Sequence, residues 1–197
     1  HLMEGIKKRK LGELSLADLD NESLDIIMRG LHSDYPAEVF YCLNTLEELE
    51  HPDYINHLQY ILEDRNIVIR QDILQRIERL KIIRLAPNVK LRIRRETPDA
   101  ALGQTLRTYA ALKQPDTLEQ LLPFVQTSNP QVRLGALVGI LSFEQNNDQA
   151  QDYLLNVVRS ENTEDRIFAA KVMGQIASDH FSGFLIELLD DHDSEVV

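Results

Sequence analysis

The chain contains no tryptophan and one cysteine, Cys42. A single thiol excludes an internal disulfide and fits a reducing compartment. Basic residues are also short: 21 Lys and Arg stand against 32 Asp and Glu, a formal net charge of -11. That balance argues against a general binder of DNA or RNA, which needs clustered cations for phosphate contacts. No apolar run approaches the roughly 18 residues of a membrane span. The phosphate-cradling patterns G-x-x-x-x-G-K-[ST] and G-x-G-x-x-G are missing, so nucleotide binding has no support. Strand-type alternation is missing over any useful length.

What the chain does have is a repeat. Six turn-like segments align: "DYPAEVF", "DRNIVIR", "ETPDAAL", "TSNPQVR", "SENTEDR" and "DHDSEVV". They end at residues 40, 70, 102, 133, 166 and 197, at intervals of 30, 32, 31, 33 and 31. A period in this range marks a solenoid. Each unit places an apolar helix before the turn and a second helix after it, with Asp, Asn, Ser or Pro as starters. The second helix beginning at Pro130, "PQVRLGALVGIL", is apolar almost all round. A stacked array explains this, since each unit is covered by the one before and the one after. Gly135, Ala136, Gly139, Ala169, Ala170 and Gly174 are then expected where helices approach closely. In the helix 163–176 the apolar stripe is read as Ile167, Ala170, Val172, Met173 and Ile176.

The segment "SNPQVRLGA" (128–136), and next "ENTEDRIFAA" (161–170), resembles the D-x-x-x-x-V-R-x-x-A pattern of HEAT repeats. The resemblance runs from about Ser23 onward. It implies an all-α, right-handed α-solenoid of about five and a half stacked antiparallel helix hairpins, with a concave face of second helices. Phe40, Leu102 and Val197 occupy the arginine position of three units, so an Asp–Arg ladder is expected to break there. Two catalytic classes are similar stacks. DNA glycosylases of this kind need a basic groove and aromatic side chains, from which this acidic, tryptophan-free chain departs. Bilin lyases of light-harvesting assemblies are neither marked nor excluded by any residue. A lyase or nucleic-acid repair enzyme on a HEAT-like stack therefore stays open as an alternative.

No constellation carries obvious chemistry. The histidines, His1, His32, His51, His57, His180 and His192, form no H-E-x-x-H pair, and His51 and His57 do not share a helix face. "DDHDSE" (190–195) lacks calcium-loop spacing and reads as a capped turn. Cys42, mid-helix in "VFYCLN", reads as a buried thiol. No cofactor or metal is expected.

Charge is uneven. Residues 76–95 hold eight cations and one acid, Glu78, a local +7 that leaves -18 for the rest. Arg76, Arg79, Arg84, Arg92, Arg94 and Arg95 are the candidate residues for a protein or peptide partner, or for an anionic headgroup or phosphate. Arg76 with Arg79, and Arg92 with Arg95, each share a helix face by spacing. The alternative is an ion-pair seam with neighbouring repeats.

Residues 1–22 read as a tag remnant ("HLMEG") and a linker or capping segment, and residues 23–197 as the repeat domain, cut within a repeat. The run "KKRK" (7–10) fits a linker or a cytoplasmic flank of an upstream membrane bundle. The stretch 31–58 is similar to the HEAT unit appended to ATP/ADP translocase-like transporters. That likeness implies a soluble cytoplasmic domain of a nucleotide-transporter-like membrane protein. The leading expectation is a cytoplasmic, non-catalytic interaction scaffold. The apolar segment 181–189 is expected to bury its face by self-association through the cut end, or to fray there.

Overall fold

The computed structural model describes residues 21–63, 66–96, 100–176 and 178–196. The expected tag and linker of residues 1–20, including "KKRK", lie outside them, as does Val197. The described residues are helical throughout, with no strand among them. In chain order the helices are α1 (Asn21–Gly30), α2 (Pro36–Glu48), α3 (Tyr54–Ile61), α4 (Ile67–Leu80), α5 (Ala86–Arg95) and α6 (Ala100–Ala111). There follow α7 (Thr117–Leu121), α8 (Pro130–Phe143), α9 (Asp148–Val158), α10 (Thr163–Ile176) and α11 (Ser182–Leu189). None of the described helices is long and apolar enough to cross a membrane.

The turns start helices as their chemistry dictates. Asn129 Oδ1 accepts from the backbone N–H groups of Gln131 (2.9 Å) and Val132 (3.2 Å), and Pro130 supplies the first residue of α8. Asn66 and Asn162 do the same for Val68 and Glu164, each at 2.9 Å. Each bond satisfies a donor that the first helical turn leaves orphaned.

Three helix ends share one unusual device. Glu50, Lys81 and Lys113 follow α2, α4 and α6 with φ of 50°, 52° and 50°, the left-handed region. They are 31 and 32 residues apart. The His51 N–H reaches back to the Leu46 carbonyl (2.9 Å), and the Ile82 N–H to that of Ile77 (3.1 Å). These are the long bonds of a Schellman ending. Glycine would take this backbone freely; a side chain there costs about 1–2 kcal/mol.

The chain divides into two compact units, residues 1–73 and 74–197. In the first, α1 packs on α2 and α2 on α3, burying Ile27, Val39, Leu43, Leu46 and Leu58. In the second, α5 packs on α6, α7 on α8 and α9 on α10, while the second helices pack on one another, α6 on α8 and α8 on α10. Helices α6 and α10 flank α8 and α7 lies against it, so Val132 and the run Gly135 to Leu141 are all buried.

The approach of α6 to α8 is close because both helices carry glycine at the crossing. A Cβ on Gly135 would sit 2.5 Å from Gly103 Cα and strike the Gly103 carbonyl oxygen. One on Gly139 would sit 2.8 Å from Leu121 Cδ2 and 3.2 Å from Ala110 Cβ. Two expected positions are corrected. Gly174 is exposed, with nothing within 4 Å of a Cβ added there, and Ala170 is only half-buried. On α10 the expected Val172 and Met173 are buried, but Phe168 and Ala169 face inward with them in place of Ile167, Ala170 and Ile176, which are half-buried. The reason is that the inward stripe also carries Arg166, a polar residue that an apolar count passes over.

Helix α11 exposes Ile186 and Leu189 at 61% and 60%.

Candidate functional site: a polar groove on the second helices

The six arginines of the basic segment do not share one environment. Arg79, Arg84, Arg94 and Arg95 are exposed, whereas Arg76 and Arg92 are buried. Two of the six candidate residues, Arg76 and Arg92, are therefore largely withdrawn from solvent. Arg92 lies on the inward stripe of α5 with Val89 and Ile93, and its Nε donates to Glu96 one helical turn on (2.8 Å). Arg76 sits on α4 beside the buried Leu74 and Ile77. Neither spacing pair, Arg76 with Arg79 or Arg92 with Arg95, presents two outward guanidinium groups. The exposed cations are instead interleaved with exposed Leu80, Ile83 and Leu91.

A second polar constellation was not singled out in the sequence. On the end of α4 stands Glu78, and on α6 stand Gln104, Arg107 and Thr108. Gln104 Nε2 donates to Glu78 Oε2 (2.7 Å), and Arg107 Nη2 pairs with Glu78 Oε1 (3.4 Å). Arg107 Nη1 donates to Gln175 Oε1 on α10 (2.7 Å). The Thr108 hydroxyl donates to the Leu74 carbonyl (3.2 Å). This side-chain chain links α4, α6 and α10 above the glycine crossing.

Around it opens a groove of about 220 Å³. Its floor is small and apolar, Ala110, Ala111, Val138 and Gly139; its rim carries Lys81, Lys113 and Ser142. Lys81 and Lys113 are two of the three left-handed cap residues, so the repeat that ends the helices also aims the lysines. Three cations, Lys81, Arg107 and Lys113, stand against one carboxylate, Glu78. Neither lysine ammonium has an ion-pair partner among the described residues. Sequence reading missed the groove because its members lie 26 to 97 positions apart, from Glu78 to Gln104 and to Gln175. The signal that could have found it was the repeat register itself, which equates Lys81 with Lys113.

Other ionisable groups read as scaffold. Arg166 makes a forked pair with Asp191, Nε to Oδ2 at 2.7 Å and Nη2 to Oδ1 at 3.0 Å. These bonds, joined by the Asp193 N–H, hold the Asp191 carboxyl down to about 2. The pair ties the start of α10 to the 190–195 turn. Arg133, one period earlier, lies instead against the Phe168 ring, 4.4 Å from its centroid. Tyr109 donates to Asp116 (2.6 Å), which also receives Lys90. The lysine bond, then the tyrosine bond, lowers the Asp116 carboxyl.

His51 and His57 come within 6.1 Å ring to ring although they share no helix face, because the 51–53 turn folds one toward the other. Burial, then the His51 charge, lowers the His57 pKa. Among the described residues no three His, Cys, Asp or Glu side chains are grouped to hold a metal ion. Cys42 is buried, and desolvation pushes its thiol to about 11, far from a reactive thiolate.

Comparison with protein families, curated proteins and solved structures gives no significant match.

Proposed function

We propose that this chain is a non-catalytic, HEAT-like α-solenoid module that binds a protein partner on the face of its second helices. Support for the repeat comes from the left-handed caps 31 and 32 residues apart, from the α6–α8–α10 packing and from the Arg166–Asp191 pair. The observation that carries the binding reading is the groove at α6 and α8, where polar side chains from successive second helices converge over a small apolar floor. A solenoid's rigid, repeated surface suits an extended partner. Such a module sits in the cytoplasm, alone or as part of a membrane-tethered protein.

A second surface has its own support. Leu80, Ile83 and Leu91 are exposed among Arg79, Arg84, Arg94 and Arg95, a mixed apolar and basic face suited to an anionic partner.

Photo-crosslinking from Ser142 in the groove and from Leu91 on the basic segment separates the two. A discrete adduct from Ser142 and none from Leu91 supports the groove. The reverse pattern moves binding to the basic segment. Adducts from neither, with turnover of a small substrate by the purified chain, would contradict the scaffold reading.

A further inference from the structure

We propose that the groove takes the carboxylate of an acidic side chain from an extended partner peptide. This rests on the reading of the second-helix face as the binding surface. Three features of the site select that ligand. The rim offers two lysines without an ion-pair partner among the described residues, while the Glu78 charge is already met by Arg107 and Gln104. A second anion therefore meets net positive charge in a chain whose formal total is -11. The floor of Ala110, Ala111, Val138 and Gly139 suits a short methylene stem below a charged tip. The volume of about 220 Å³ accommodates one or two side chains and is below the roughly 300–1,000 Å³ of sites that enclose whole small molecules.

The geometry explains why lysine and not arginine stands at the rim. The one guanidinium, Arg107, has its two Nη groups spent on Gln175 and Glu78, which fixes it as a spacer between helices. Lysine is a flexible point charge on a long stem, able to follow a carboxylate at varied positions along an extended peptide.

The test begins with a random dodecapeptide display library selected at low salt on the full chain and on its Lys81→Glu/Lys113→Glu variant. Glutamate is compatible with this backbone, since Glu50 already occupies the corresponding cap at φ 50°. The variant is therefore expected to melt as the wild type does. Glu- and Asp-rich peptides should enrich on the wild type, and the variant should bind the best of them at least tenfold more weakly. Replacing that peptide's acidic residues by their amides should weaken it to a similar degree. An amide peptide that still binds the groove equally well overturns the carboxylate assignment and leaves the binding face standing. Displacement by millimolar inorganic phosphate reassigns the rim to phosphate. Failure of any peptide to enrich on the wild type overturns this inference, while crosslinking from Ser142 decides the second-helix reading separately.

Discussion

Gly103 on α6 and Gly135 on α8 meet backbone to backbone, so that a Cβ on Gly135 would lie 2.5 Å from Gly103 Cα. Glycine inside a helix costs about 1 kcal/mol against alanine, and here the contact it permits offsets that cost. Gly135→Ala must push α6 and α8 apart, and with them the groove built on both. It should destabilise the chain by about 1–3 kcal/mol, the usual range for overpacking. Gly174→Ala should act in the opposite direction, stabilising by about 0.5–1 kcal/mol, because a Cβ there meets nothing within 4 Å. Urea denaturation of both variants reads the two signs, and equal effects would contradict the crossing.

Ala169 and Ala170 are neighbours with different fates. Ala169 is fully buried on the inward stripe of α10, and Ala170 is half-buried. Ala169→Leu should cost about 1–3 kcal/mol through overpacking. Ala170→Leu should cost clearly less. A larger loss at Ala170, by thermal melting, would return the helix to the phase that its apolar pattern alone indicated.

The Arg166–Asp191 pair makes a statement about pH. Asp191 is held at about 2 in the folded chain, below the roughly 3.9 of an unfolded aspartate. A depressed carboxyl contributes stability that is fully present above the unfolded value and lost as pH falls through the folded one. The Asp191→Asn variant should therefore melt lower than the wild type at pH 5, and the gap should close between pH 4 and 2. A gap that stays constant down to pH 2 would mean that the pair contributes nothing through its charge.

Much of the helix pattern was legible in the sequence, and the reasons are local. Asn129 and Pro130 announce the start of α8 by their own chemistry, and the structure keeps both roles. The apolar character of α8 pointed to coverage on more than one side, which α6, α7 and α10 provide. Side-chain direction was less legible. Arg92 and Arg95 are three apart, yet one is buried against Glu96 and the other exposed, because the inward stripe of α5 passes through Arg92. Charge counting cannot tell a buried, paired arginine from a solvated one. The groove was hidden for a different reason: Glu78, Arg107 and Gln175 become neighbours only when α4, α6 and α10 are packed.

We propose that the partner lies on the second-helix face. Hydrogen exchange of the full chain, alone and with the partner identified by crosslinking, measures this directly. Amides at the groove mouth, residues 110–114 and 142–146, should exchange more slowly in the complex, and those of 83–95 should be unchanged. Slowing confined to 83–95, with the groove mouth unaffected, would contradict the claim and place binding on the basic segment.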